Sequence, residues 1–255
     1  MNGDLDATQG GRSPRKRVGR DLSRNPDFAE LLVRTPGWEQ RVAARLERHR
    51  TTSAEASSIE HTLQVTSYGG SGTTALCRHF VDAGLELPAS PDHWPYKHSP
   101  VPPSGAEVPE GFRVVYVYTD PRDAVLSLFR RGLQLGAYRI FHLRQPSREI
   151  EKRLQTLDEY VRAGVDDFEL DQHFEAWLQH PAGYPVLFVD FDSLPGTWPA
   201  VRDFVGLSTT YPCLEIRTRR SPLSTIDRAT ADGLTAMYQG LLERIESLPA
   251  VDVVE

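Results

Sequence analysis

One stretch, residues 63–80, constrains the fold of this chain more than any other part of its sequence. It is LQVTSYGGSGTTALCRHF: an apolar, β-prone run, then two glycines and hydroxyl residues, then a helix-like segment. A strand, a glycine-rich turn and a helix in this order direct backbone N–H groups and a helix N-terminus at a phosphate. We therefore predict a phosphate-binding loop made of Gly69, Gly70, Ser71, Gly72, Thr73 and Thr74. An ordinary strand-to-helix turn, with Ser and Thr as caps, is the alternative.

The loop lacks the lysine of a Walker A sequence. That pattern places Lys directly before Ser or Thr, whereas here Gly72 is followed at once by Thr73. A helix over residues 75–83, ended by Gly84, is expected after the loop.

Two further strand–turn units follow along the chain. The apolar run 113–118 predicts a buried strand, and Asp120-Pro121 predicts a turn into a helix that reaches about Arg131. Residues 186–189 predict a third buried strand, followed by a turn over 190–195. This alternation predicts an α/β fold with three layers, α/β/α, around a central parallel sheet. Ligands of such sheets bind at the C-terminal strand ends, where the glycine loop would lie.

Helices are expected over most of the remaining chain. Apolar residues at helical spacing predict a helix over 149–162; a short helix is expected at 198–205 and a last amphipathic helix at 227–246. The acidic run Asp166, Asp167, Glu169 and Asp171 matches no metal-ligand pattern and is interpreted as a solvated helix start.

The N-terminal part differs in composition from the rest. Residues 1–25 are polar, glycine-rich and basic, which predicts a disordered leader. Residues 26–58 predict a helical extension and a linker, and residues 59–255 are expected to form the main domain.

Composition excludes several classes of protein. Two cysteines are too few for a disulfide framework or a zinc site. A net charge of −6 gives no argument for nucleic acid. Because the sequence contains neither a run of about 18 apolar residues nor a signal peptide, no membrane span is expected and a cytoplasmic location is predicted.

Residues 88–111 contain seven prolines and predict a long loop, which in a compact domain is usually functional or disordered. The loop carries His93, Trp94, Tyr96, Lys97 and His98, and this concentration of chemically useful side chains favours a function.

Taken together, these motifs resemble the sulfotransferase family, whose donor is 3′-phosphoadenosine 5′-phosphosulfate (PAPS). Residues 67–74 resemble its loop for the donor's 5′-phosphosulfate, typically Tyr-Pro-Lys-Ser-Gly-Thr-Thr. Residues 115–127 resemble its 3′-phosphate element, typically Arg-Asp/Asn-Pro-Lys/Arg-Asp followed by Ser. Residues 97–100, Lys-His-Ser-Pro, resemble the Lys-Thr-His-Leu-Pro stretch that holds the family's base, and residues 186–194 resemble a later strand and acidic turn. The resemblance covers residues 62–205 and implies a P-loop NTPase-like topology.

Two positions depart from the family pattern. Gly70 stands where the loop normally has Lys, and Thr119 stands where the 3′-phosphate Arg is normal. Both changes remove a cation from the expected donor site. Lys97, Arg122, Arg130 or the basic stretch Arg217, Arg219 and Arg220 could replace these cations in space.

The resemblance implies a role for each site residue. Residues 69–74 would hold the 5′-phosphate and the sulfuryl group, and Arg122 and Ser127 would bind the 3′-phosphate. His98 would take the acceptor's proton, with His93 as the competing base, and Lys97 would offset charge on the sulfuryl oxygens. No metal is required, and the partner is a small-molecule or glycan acceptor.

Three alternatives remain open at this point. Arg122 and Ser127 could be helix-surface or packing residues. The protein could be a P-loop-type small-molecule kinase that uses Asp190 or Asp192 for Mg²⁺. It could also be a catalytically silent nucleotide-binding protein of the same fold.

Overall fold

A four-stranded sheet forms the centre of the structure. The computed structural model describes residues 61–87, 96–142, 146–179, 183–216 and 223–254. The strands are β1 (Leu63–Thr66), β2 (Arg113–Tyr118), β3 (Val186–Asp190) and β4 (Val251–Val254), in the spatial order β1-β2-β3-β4. β1, β2 and β3 are parallel, so a parallel arrangement is confirmed for the three predicted strands.

The fourth strand makes the sheet mixed, which the sequence analysis did not predict. β4 pairs antiparallel with β3, with Val251 opposite Val189 and Val254 opposite Val186. Its four residues are only partly buried and are too few to give a clear alternating pattern.

Eight α-helices lie within the described residues. They are α1 (Thr73–Asp82), α2 (Pro121–Arg130), α3 (Gln134–His142), α4 (Arg148–Arg153), α5 (Leu157–Ala163), α6 (Leu170–Leu178), α7 (Leu194–Val205) and α8 (Arg228–Ser247). None of these helices combines the length and the apolar character that a membrane crossing requires.

The helices cover both faces of the sheet, because alternate side chains of each strand point to opposite sides. Val115 and Val117 pack with residues of α1 and α7 on one face. Val114, Tyr116 and Tyr118 pack on the other face with residues of α2, α3, α5, α6 and α8. The expected three layers are therefore present.

The helix predicted over 149–162 is two helices in the structure. α4 ends near Leu154, and the Thr156 side chain accepts a hydrogen bond from the Glu159 N–H to begin α5. A Thr followed three residues later by Glu is a capping-box pattern, and it interrupts a run whose apolar spacing is otherwise continuous. The helix expected at 198–205 begins earlier, at Leu194, directly after the turn that follows β3.

The acidic run before α6 is not a solvated helix start, and that prediction was wrong for two of its residues. Asp166 accepts hydrogen bonds from the hydroxyls of Tyr160 and Tyr238 at 3.2 and 2.8 Å. Asp167 is buried and forms a 2.6 Å ion pair with Arg153. These carboxylates organise the packing between α4, α5, α6 and α8.

The stretch 96–98 lies along the edge of β1 that faces away from β2. The Arg113 N–H donates to the Thr62 carbonyl, so backbone groups of even-numbered β1 residues point towards β2 and those of odd-numbered residues point away. The Ser67 N–H donates to the Lys97 carbonyl at 3.1 Å. This contact brings part of the proline-rich loop to the C-terminal end of β1.

Candidate functional site

The glycine loop after β1 is a tight turn that only glycine accommodates at three positions. Gly69, Gly70 and Gly72 have φ of +89°, +72° and +75°, in the left-handed region that L side chains rarely adopt. A methyl group on Gly70 would lie 2.8 Å from the Cα of Ala124 in α2. The loop therefore packs directly against the helix that follows β2, and Gly70 leaves no room for a lysine side chain.

Backbone donors of the loop are available for an anion. Within the described residues, five loop N–H groups donate to no protein acceptor, those of Gly70, Ser71, Gly72, Thr73 and Thr74. No acidic residue lies in the first turn of α1. In contrast, Asp120 caps α2 and Asp123 lies in its first turn, so the positive end of that helix dipole is already compensated. The N-terminus of α1 is consequently the better anion site of the two.

Ser67 holds the loop in this shape. Its Oγ accepts a hydrogen bond from the Gly69 N–H at 3.0 Å and shares a second one with Thr73 Oγ1 at 2.6 Å. The Ser71 hydroxyl donates to the Gly69 carbonyl at 3.1 Å. The hydroxyls of Ser71 and Thr73 are buried in these contacts, and they stabilise the turn rather than face solvent.

Lys97 lies at the far end of the glycine loop. Its Nζ donates to Thr74 Oγ1 at 2.8 Å, although the two residues are 23 positions apart. An ammonium group is thus present beside the loop even though Gly70 carries no side chain. The structure places Lys97 where it can offset negative charge on a group bound at the α1 N-terminus.

His98 lies at the near end of the loop with a defined proton position. Its Nδ1 is 3.0 Å from the Ser67 carbonyl, which can only accept, so the neutral ring carries its proton on Nδ1. Nε2 is therefore the basic nitrogen. The ring also contacts Phe141 edge-on at 5.6 Å. Burial, followed by the charge of Lys97, lowers the pKa of His98 to about 3, so the imidazole is neutral at pH 7.

Arg122 is engaged by its own helix cap. Its guanidinium forms a 2.6 Å ion pair with Asp120 and donates to Thr235 Oγ1 at 3.0 Å. The hydrogen bonds to Asp120 raise its pKa. A 3′-phosphate at Arg122 would have to compete with Asp120, a partner only two residues away.

Ser127 and Arg131 lie on the side of α2 that faces the loop. Ser127 is three residues after Ala124, which contacts Gly70, and residues at this spacing share a helix face. Arg131 Nε donates to the Ser127 carbonyl at 2.9 Å, and its charge is one of the causes that lower the pKa of His98. The sequence analysis missed Arg131. Its position four residues after Ser127 was the signal that could have found it.

Position 119, where the sequence resemblance leads one to expect an arginine, is closed to ligands. Thr119 is buried, and its hydroxyl donates to Asp192 at 3.1 Å. The Tyr68 hydroxyl bridges to the N–H and the carbonyl of Thr119, and burial raises the pKa of Tyr68. This bridge joins the loop after β1 to the turn after β2.

No metal site is present among the described residues, where no three His, Cys, Asp or Glu side chains form a group that could hold a metal ion. Asp190 accepts hydrogen bonds from the hydroxyl of Ser193 at 2.6 Å and from the N–H of Asp192 at 3.2 Å. These contacts make Asp190 a turn-forming residue.

Several sequence predictions fall outside the described residues. They are the leader 1–25, the extension 26–58, the competing base His93 with Trp94, and the basic residues Arg217, Arg219 and Arg220.

Comparison with known proteins assigns no family to this chain. No protein-family model matches the sequence, and no curated protein matches it significantly.

Proposed function

We propose that this protein is a sulfotransferase that moves a sulfuryl group from PAPS to a hydroxyl or amine of a small-molecule or glycan acceptor. The observation that carries the proposal is the position of the Lys97–His98 pair. Lys97 bonds to Thr74 and His98 bonds to Ser67, so residues distant in sequence join the two ends of one glycine loop. An ammonium, an imidazole and a set of backbone donors thus lie along one glycine loop.

The loop and Lys97 suit the 5′ end of the donor. Five backbone N–H groups and the α1 dipole would hold its phosphate and sulfuryl oxygens. Lys97 would supply the positive charge that Gly70 cannot. Charge stabilisation at a leaving group is typically worth about 3–4 kcal/mol in a preorganised site.

His98 would act as the general base. Its Nε2 removes the proton from the acceptor hydroxyl as the acceptor oxygen forms a bond to sulfur. The bond from sulfur to the 5′-phosphate oxygen breaks, and 3′-phosphoadenosine 5′-phosphate leaves with that electron pair. A pKa of about 3 makes His98 a weak base before the donor binds. The negative charges of the donor would raise this pKa towards the working range, because an opposite charge favours the imidazolium.

Ser127 and Arg131 would bind the 3′-phosphate, with Arg122 joining them if it exchanges Asp120 for the ligand. Both Ser127 and Arg131 lie on the side of α2 that faces the loop. This arrangement would let one nucleotide bridge the turns after β1 and β2.

Transfer of label from ³⁵S-labelled PAPS to a panel of alcohols, phenols, amines and glycans tests the proposal. We expect sulfated product without added metal, and a rate 10²- to 10⁴-fold lower in His98→Ala, the usual contribution of a general base. His79→Gln is the matched control, since it preserves a donor near Pro212 on the far part of α1.

Two results would count against the proposal. Equal rates for wild type and His98→Ala would show that His98 is not the general base. Phosphate transfer from ATP that requires Mg²⁺, with no sulfate transfer, would favour the kinase alternative.

A further inference from the structure

Helix α6 contacts the end of the stretch 97–99. Trp177 Nε1 donates to the Ser99 carbonyl at 2.9 Å. His173, one turn earlier on the same face, is 6 % exposed. A buried histidine next to this stretch needs hydrogen-bond partners for its ring nitrogens.

The two nitrogens of His173 have different surroundings. Nδ1 is 2.9 Å from the hydroxyl of Tyr116, a buried residue of β2. Nε2 is buried and makes no hydrogen bond within the described residues. Besides the carbonyl of His173 itself, those of Ser99 and His98 lie close enough to favour a proton on this ring.

Electrostatics selects one tautomer of His173. If Nδ1 carried the proton, Nε2 would keep a buried lone pair with no donor among the described residues. If the Tyr116 hydroxyl donates to Nδ1, Nε2 carries the proton and faces acceptors instead. In the second arrangement Nδ1 keeps its hydrogen bond to Tyr116, and Nε2 presents a donor in place of a buried lone pair.

We propose that His173 is a positioning residue for His98, with its Nε2–H directed at the backbone of residues 98–99 and its Nδ1 held by Tyr116. The stretch would then be held from both sides. His98 Nδ1–H fixes it to Ser67, while His173 Nε2–H and Trp177 fix it to α6. The catalytic consequence of this arrangement rests on the proposed function, but the arrangement itself does not.

Nitrogen-15 NMR of the histidine rings tests the arrangement directly. Long-range ¹H–¹⁵N correlations distinguish the two neutral tautomers, and we expect Nδ1–H for His98 and Nε2–H for His173 at pH 7. An Nδ1–H tautomer of His173 would overturn the proposal.

Substitutions of His173 test whether it positions His98. His173→Gln keeps an N–H near the place of Nε2, whereas His173→Asn places its N–H near Nδ1 and His173→Leu has none. We expect His173→Gln to keep kcat within about threefold of wild type, and Asn and Leu to lose about 10- to 100-fold, the cost of a misplaced catalytic group. The Kd for 3′-phosphoadenosine 5′-phosphate should change less than threefold in all three variants. Equal kcat values for Gln and Leu would contradict the proposal.

Failure of the proposed function would be distinguishable from failure of this inference. If wild type transfers no sulfate, the His98 tautomer and the amide exchange of residues 97–99 still report the positioning. We expect faster exchange and a mixed His98 tautomer in His173→Asn relative to His173→Gln. Unchanged exchange and an unchanged tautomer in His173→Asn would show that His173 does not position the stretch.

Discussion

Placing a lysine at position 70, as the sulfotransferase pattern has it, should damage this protein instead of improving it. Gly70 has φ of +72°, and a methyl group there would overlap the backbone of Ala124 at 2.8 Å. Gly70→Ala and Gly70→Lys both introduce a Cβ atom at this point. We expect both variants to be less stable than wild type and neither to bind the donor more tightly.

The expected cost has two parts. A left-handed residue with a Cβ costs roughly 1–2 kcal/mol. The overlap involves backbone, which cannot rotate aside, and overpacking of this kind costs about 1–3 kcal/mol. The free energy of unfolding should therefore fall by about 2–5 kcal/mol. For a chain of this length that corresponds to a Tm lower by roughly 4–20 °C.

Two glycines separate these two parts experimentally. Gly84 has φ of +87° and open space around it, so Gly84→Ala should cost only the conformational part. Gly240 lies in α8, has open space and no positive φ, so Gly240→Ala should be neutral or stabilising by about 1 kcal/mol. Urea unfolding of the three alanine variants measures the differences. If Gly70→Ala costs no more than Gly84→Ala, the close packing of the glycine loop on α2 is refuted.

Three further predictions follow from buried groups and charges. Burial lowers the pKa of His173 to about 3 from a value of 6.5 in an exposed ring, so the unfolded chain binds more protons between these values. The free energy of unfolding should therefore fall as the pH is lowered from about 6.5 towards 3, and His173 alone should account for about 2 kcal/mol of this loss at pH 5. Urea unfolding of His173→Gln should show a smaller pH dependence than that of wild type. Tyr68→Phe should lower the free energy of unfolding by about 1–3 kcal/mol, because the lost hydroxyl bonds to both backbone groups of Thr119; an unchanged denaturation midpoint would contradict that bridge. Arg131→Ala should weaken binding of 3′-phosphoadenosine 5′-phosphate about tenfold and Arg122→Ala less, because Asp120 already neutralises Arg122. If calorimetry gives the opposite ranking, Arg122 is the residue that binds the 3′-phosphate.

Sequence patterns predicted those strands and helices whose ends are determined by residues close to them in the chain. The strand at 113–118 has the predicted bounds, because a continuous apolar run between Gly111 and Asp120-Pro121 leaves little choice of start or end. The last helix begins at the Asp227 cap, as expected from sequence. In both cases the deciding residues are neighbours in the chain.

Predictions failed where residues distant in the chain determine the surroundings of a side chain. Asp166 was expected to be solvated, but one of its partners, Tyr238, lies 72 residues away. The space at Gly70 likewise depends on a distant residue, Ala124. Spacing within the chain carries no information about such contacts. The pairing of Arg122 with Asp120 is different, because a carboxylate two residues away was visible in the sequence.

The candidate site was predicted in part. The stretch at 97–98 was connected to the loop only through a family resemblance, and the structure places both of its side chains at the loop. Arg131 and His173 were not predicted, since neither belongs to a motif. Their positions depend on how α2 and α6 pack against the sheet.

Calorimetric titration of the full chain with 3′-phosphoadenosine 5′-phosphate measures whether the glycine loop and Lys97 bind the nucleotide, with Lys97→Ala beside the exposed control Lys152→Ala. We expect one nucleotide per chain with a micromolar Kd, weakened about tenfold or more in Lys97→Ala and unchanged in Lys152→Ala. Absence of binding at near-millimolar nucleotide, or equal affinity in both variants, would contradict it.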